Sequence, residues 1–251
     1  MSMKKLIGCI LKADKDYNLI EDNDYIGVGI SGGKDSMALL YCLNIYKIVA
    51  KKILNKNFEI IGIHIDMNFT GMDFSEVNQF CEKHQIKIHH EKTKIYDILQ
   101  KHPKKGNIQC SLCSPLKKGA VNKVAKQLGC NKVAFGHHAD DAIETFFMNA
   151  LYCGKIASFL PKMYLSNTDI TFIRPFIYAY ENEIINVVKS EKIPFVHSTC
   201  PNENITARAD TKALLNDFYQ KHPFAKQNFL HMLSNTDNVE LWEKENNEKQ
   251  E

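Results

Sequence analysis

Four groups of residues in this 251-residue chain have the types and spacings that chemistry requires. Ser31-Gly32-Gly33-Lys34-Asp35-Ser36 combines an ammonium, a carboxylate and two hydroxyls in a turn of small residues. Cys110-Ser111-Leu112-Cys113 sets two thiols three residues apart, just ahead of Lys117 and Lys118. Gly136-His137-His138-Ala139-Asp140-Asp141 brings two imidazoles beside two carboxylates, and Cys200 supplies a later thiol with His197 three residues before it.

The first group follows a β-prone run, Ile26 to Ile30, and precedes an apolar-periodic run with Met37, Leu39, Leu40 and Leu43. That is a strand, a glycine turn and a helix N-terminus, where backbone N–H groups and the helix dipole favour an anion. A phosphate chain is the natural occupant. Two nucleotide fingerprints fail on spacing. Gly27-Val28-Gly29-Ile30-Ser31-Gly32 fits GxGxxG, but its first two glycines fall inside the strand, and Lys51 and Lys52 stand where a ribose-binding acid belongs. A Walker A loop fails at Val28 and Asp35.

The cysteine pair suits a redox dithiol, half a zinc site or part of an iron–sulfur site. Cys9, Cys42, Cys81, Cys130 and Cys153 stand singly and read as packing thiols. At Asp140 and Asp141 one carboxylate is expected to cap a helix and the other to face the site, where either could hold Mg²⁺ or move a proton. Two adjacent histidines diverge and make a poor metal pair.

The elements that must position these groups alternate. Helices are expected at 3–16, from Lys34 into the fifties, at Glu76–His84, Tyr96–Gln100, Leu116–Leu128, Asp140–Leu151 and Glu181–Glu191, and from about Thr206. Strands are expected into Gly27, at Phe58–Asp66, Ile86–His90, Lys132–Phe135 and Ile170–Arg174, with a short extended piece at Phe195–His197 and a loop at Pro103–Asn107. This rhythm predicts an α/β fold, a doubly wound, mainly parallel sheet with helices on both faces. Residues 1–236 read as one domain and 237–251 as an acidic, unstructured tail.

With 44% hydrophobic residues the chain can bury a large core, and no apolar run is long enough for a membrane span. The expectation is a cytoplasmic protein, whose eight cysteines are not a disulfide framework. The overall charge is +3, but the tail from Asp237 holds six acids and two lysines, leaving about +7 on the rest. That balance suits a polyanionic partner without demanding one.

Ser31–Ser36 resembles the PP-loop of the ATP pyrophosphatase superfamily, whose members adenylate a carbonyl oxygen and release pyrophosphate. Taken with CSLC and its basic helix, GHHADD, Arg174-Pro175 and a late cysteine before an Arg-bearing helix, the chain resembles the tRNA 2-thiocytidine synthetases and related iron–sulfur tRNA thiolases across roughly residues 25–215. The resemblance implies ATP and Mg²⁺, with Ser31, Gly32, Gly33, Lys34, Asp35 and Ser36 around the pyrophosphate. It further implies His64 and Ile65 at the adenine, and Gly136, His137 and Arg174 bordering the nucleotide. Asp140 or Asp141, with Lys117 or Lys118, would serve the activated base, and Cys110, Cys113 and Cys200 would hold a [4Fe–4S] cluster. Its partners would be tRNA, a sulfur donor (a cysteine desulfurase or free sulfide) and a second copy of the chain.

One departure stands out. Those synthetases carry a second CxxC, whereas here His197 occupies the place of its first cysteine. Three alternatives follow: a zinc-stabilised nucleotide- or RNA-binding module, a thiolase using a persulfide cycle, and a lysidine-synthetase-like ligase that needs no cysteines.

Overall fold

The computed structural model describes residues 3–68, 71–101, 110–196 and 207–242, with Cys110 described in its backbone alone. His197, Cys200, the Pro103–Asn107 stretch and the end of the acidic tail lie outside them. Six strands, β1 (Asp24–Ile30), β2 (Phe58–Asp66), β3 (Ile88–Lys92), β4 (Lys132–Ala134), β5 (Lys162–Leu165) and β6 (Ile170–Ile173), form one sheet in the order β3-β2-β1-β4-β6-β5. All neighbours are parallel except β5, which runs antiparallel to β6.

The chain steps outward from β1 to β3, then returns to lay β4 on the other side of β1. That reversal is a topological switch point, and ligands of doubly wound sheets bind at the carboxyl ends of the strands there. The turn after β1 and the turn after β4 both open onto it. Helices α1 (Met3–Tyr17), α2 (Lys34–Leu54) and α7 (Glu181–Ser190) contribute to one core with the sheet. Helices α4 (Ile95–Lys101) and α5 (Cys110–Gln127) build a second core around Ile63, Val124 and Val133. Apolar side chains therefore cover both faces, which is why β1 and β2 read as continuous rather than alternating runs. Helix α3 (Ser75–Lys83) crosses between β2 and β3, and α6 (Ala139–Cys153) leaves β4.

Four differences from the sequence expectation stand out. The β3 strand starts two residues late because Gln85 takes a left-handed conformation (φ 56°) and Ile86 N–H bonds back to the Cys81 carbonyl, finishing α3. The α5 helix starts at Cys110 instead of Leu116, so CSLC forms its first turn instead of preceding it. Pro115 costs that helix one backbone bond without stopping it. The β5 strand is too short to register as a strand, and it lies at the edge of the sheet. The single C-terminal helix is two, α8 (Ala207–Lys221) and α9 (Ala225–Met232), separated at Pro223.

Candidate active site

The turn at Ser31–Ser36 is braced by its own hydroxyls. Ser31 Oγ accepts from Gly33 N–H at 3.3 Å, while Ser36 Oγ donates to the Gly33 carbonyl at 2.8 Å. Gly32 sits at φ +91°, a conformation that disfavours side chains, and a Cβ there would meet Phe74 at 3.1 Å and Val196 at 3.3 Å. Gly33 is the N-cap of α2 and offers no side-chain cap, so the first N–H groups of that helix are left for a ligand.

Lys34 leans across this opening. Its Nζ lies 3.0 Å from an Asp35 carboxylate oxygen and 3.0 Å from Glu181 Oε1. Burial works against its charge, but Asp35 and Glu181 outweigh that and raise its pKa above the usual lysine value. Behind it, Glu181 Oε2 meets Lys212 Nζ at 2.6 Å. Burial alone would push the Glu181 carboxyl up; hydrogen bonds from Lys212 and Lys34 instead hold it at about 2.

The turn after β4 is pressed against the first one. A Cβ on Gly136 would stand 3.0 Å from the Asp35 backbone, so only glycine admits this approach. His138, buried, is the N-cap of α6, and its N–H donates to Asp141 at 3.0 Å. Asp141 also receives Arg208 Nη1 at 2.8 Å, tying α8 to α6. Asp140 faces the other way, accepts the Glu181 N–H at 2.8 Å and pairs with Lys226 of α9. Asp141 thus carries the cap of α6, and Asp140 binds the start of α7 instead. A cavity of about 200 Å³ lies beside them, lined in part by Asp140, Glu181, Lys212, Tyr219 and Lys226.

Beyond β4 the polarity inverts. Arg174, just past β6, is 4% exposed and has no carboxylate partner among the described residues. Its Nη1 donates to the Leu160 carbonyl, its guanidinium lies over Phe159 at 4.8 Å, and its Nε has no partner among the described residues. Burial pulls its pKa down to about 10. Lys118 is exposed, yet desolvation, followed by the charge of Arg174, lowers its pKa. His137, with an unpartnered Nδ1, is driven by burial to about 4 and is neutral at pH 7.

On the opposite side of β1, His64 is buried, and its Nδ1 lies 3.0 Å from the Ile30 carbonyl. A carbonyl only accepts, so this nitrogen carries the proton. Burial lowers the pKa of the ring, and Phe74 packs against it at 4.0 Å. Pairing of β1 with β2 ends at Ile30–His64, so Ile65 and Asp66 run past the end of β1. Lys117 is exposed on α5, near enough to act electrostatically on His64.

Cys110 and Cys113 occupy the first turn of α5 on one face, where a helix N-terminus favours thiolates. Cys113 is partly buried, and Cys200 is outside the described residues. Val196, four residues before Cys200, donates its N–H to the Gly32 carbonyl at 2.8 Å, which fastens that segment to the Ser31–Ser36 turn. An i, i+3 thiol pair at a helix start fits two ligands of a shared metal cluster. Among the described residues no group of three or more His, Cys, Asp or Glu forms a ready-made metal site.

Sequence reasoning missed Glu181, Lys212, Lys226 and Arg208, and it named His138 without its capping role. Glu181 reads as an ordinary acid in a first helical turn, and the two lysines as solvated helix residues. Only Arg208 left a signal, as the arginine of the helix after Cys200.

Comparison with known proteins now places this architecture. The family model described as "PP-loop domain" matches residues 8–211, and the chain belongs to that family. Among curated proteins, it is 33% identical to the tRNA-cytidine(32) 2-sulfurtransferase of Geobacter sulfurreducens over 92% of this chain and 90% of that one. The enzyme of the same name from Geotalea uraniireducens is 34% identical over 89% of this chain and 88% of its own. The fold resembles the U34-tRNA thiolase NcsA from Methanococcus maripaludis, solved with its [4Fe–4S] cluster. The TM-score is 0.72 at 21% identity, covering 94% of this chain and 79% of that one.

Proposed function

We propose that the chain is an ATP-dependent tRNA 2-sulfurtransferase whose target is a cytidine, as in its curated relatives. The observation that carries the reading is the sharing of one sheet edge. The uncapped start of α2 with Lys34, the aspartates of α6 and the cysteine turn of α5 belong to elements around the switch point at β1 and β4.

ATP phosphates lie along Ser31–Ser36, with the adenine against the backbone at His64 and Ile65. The C2 oxygen of the cytosine attacks the α-phosphorus, and pyrophosphate leaves. Charge growing on the leaving group meets Lys34, the turn amides and Mg²⁺ held near Asp35. Asp140, fixed by the Glu181 N–H and Lys226, faces the activated base with Lys117. Gly136, His137, Arg174 and Lys118 form the cationic side of the site, which suits the adenylate phosphate. Cys110, Cys113 and Cys200 would hold a [4Fe–4S] cluster, which would carry the sulfur that replaces the C2 oxygen, that oxygen leaving with AMP. Sulfur comes from a donor outside the chain, a cysteine desulfurase or free sulfide. No helix among the described residues is long and apolar enough to cross a membrane. A second copy of the chain, implied by the resemblance, is tested by sedimentation.

The test is reconstitution. Anaerobically purified protein should be brown, and with ATP, tRNA and sulfide it should release AMP and pyrophosphate while 2-thiocytidine accumulates, read by nucleoside mass spectrometry. Colourless, zinc-loaded protein that leaves tRNA unchanged would sink the proposal. The Cys113→Ser variant should lose the colour and the thiolation together.

A further inference from the structure

The first turn of α7 carries two glutamates, and the structure gives them different tasks. Glu183 is buried and performs the helix-end work: its Oε2 accepts the Tyr180 N–H at 3.0 Å, and its other oxygen pairs with Lys5. Glu181 does no capping. Its side chain turns to the turn after β1, with Oε1 on Lys34 Nζ at 3.0 Å and Oε2 on Lys212 Nζ at 2.6 Å. Its backbone N–H simultaneously holds Asp140 Oδ2 at 2.8 Å. One residue therefore touches the lysine of the pyrophosphate turn, the acid of α6 and the arm made by α8.

We propose that Glu181 is a positioning residue for the nucleotide reaction, holding Lys34 across the Ser31–Ser36 opening while Lys212 neutralises its second oxygen. Three features support this. Without Glu181 the only carboxylate at Lys34 among the described residues is that of its own neighbour, Asp35, which draws the ammonium back along α2 rather than across the turn. A lone carboxylate beside bound phosphates would repel them, but the Lys212 pair leaves Glu181 with no uncompensated charge to present. Finally, the backbone bond to Asp140 means that a shift at Glu181 reaches both expected reacting regions at once.

The inference rests on the reading of Ser31–Ser36 as an ATP site, and it adds a residue that neither charge nor motif spacing singles out. Preorganisation of Lys34 in the free enzyme helps the nucleotide bind; once the phosphates have taken Lys34 over, the chemical step needs Glu181 less. Glu181→Gln should therefore raise KM for ATP about tenfold with kcat changed no more than about twofold. The assay is tRNA-dependent exchange of labelled pyrophosphate into ATP by the full chain. Lys212→Met should raise KM in the same direction, and Glu181→Asp should recover part of the loss. In a Lys34→Met background, which retains weak exchange, Glu181→Gln should add little, because the contact it serves is already gone. A merely structural role predicts instead an additive loss of kcat and a matching fall in thermal stability.

A lower KM in Glu181→Gln would overturn the proposal by making the carboxylate a competitor of phosphate. An unchanged KM, or a loss confined to kcat, would overturn it as well. If the wild-type chain neither binds nor turns over ATP, the ATP reading itself falls and takes this inference with it. Nucleotide binding by wild-type protein that is indifferent to Glu181→Gln removes the inference alone.

Discussion

Lys34 and Arg174 flank the same central strand, β4, yet their surroundings are opposite in sign. Lys34 lies in a closed account of charge: Asp35 and Glu181 face it, Lys212 faces Glu181, and the cluster is neutral without any ligand. Arg174 is more deeply buried, and among the described residues it has a carbonyl and an aromatic ring but no carboxylate. Lys118 and the neutral His137 add positive potential or nothing at all. An isolated buried charge is costly, and proteins retain one where a ligand supplies the counter-charge. The difference teaches a division of roles. On the β1 side the charges are balanced by neighbouring side chains, whereas on the β6 side, among the described residues, they are not.

The largest expected effect breaks the contrast in activity. Lys34→Met removes the one mobile cation of the pyrophosphate turn, and loss of a single donor to a developing anion costs about 10²–10³ in kcat. Pyrophosphate exchange should fall by that factor, and a loss smaller than about tenfold would mean that the turn amides alone carry the leaving group.

The same two positions should then separate in stability. Lys34→Met strands Asp35 and Glu181 beside Lys212 and should destabilise the fold by about 1–3 kcal/mol. Arg174→Met removes an unpaired buried cation of similar length and should leave stability unchanged or raise it by about 1 kcal/mol, while thiolation falls. Denaturant titration of both variants checks this. If both lose stability equally, Arg174 has a counter-charge that the described residues do not show, and the contrast disappears.

Much of the β1 side was legible in the sequence, because its function is local. A strand, a Gly-rich turn and a helix start must be contiguous, so SGGKDS could be read as an anion cradle and then as a pyrophosphate turn. The same locality made GHHADD readable as a strand end with one capping aspartate; Asp141 caps and Asp140 does not. What could not be read was long-range. Glu181 lies 147 residues from Lys34, and Lys226 and Lys212 reach the site only because α8 and α9 pack on α6. The orphaned charge of Arg174 is likewise invisible in a sequence, since it consists of partners that are missing in space. Short elements failed for another reason: β5 has four residues, too few for alternation to speak.

The smallest effect distinguishes the two sides by pH. His137 is held at about 4 by burial, below its ordinary 6.5, so the unfolded chain binds its proton first as the solution is acidified. Its contribution is complete above about pH 6.5 and is lost as pH falls towards about 4, on the order of 3 kcal/mol. Glu181, held at about 2 against an ordinary 4.5, is insensitive through that window and gives up its contribution only between about 4.5 and 2. Stability followed by denaturant titration should thus decline in two stages, with the β6 side first. His137→Phe should flatten the upper stage, and Glu181→Gln should flatten only the lower one. If His137→Phe leaves the slope between pH 6.5 and 4 untouched, the imidazole is not the group that titrates. An imidazole that titrates alike in the folded and unfolded chain would leave the β6 side with no proton-linked difference from the β1 side in this window.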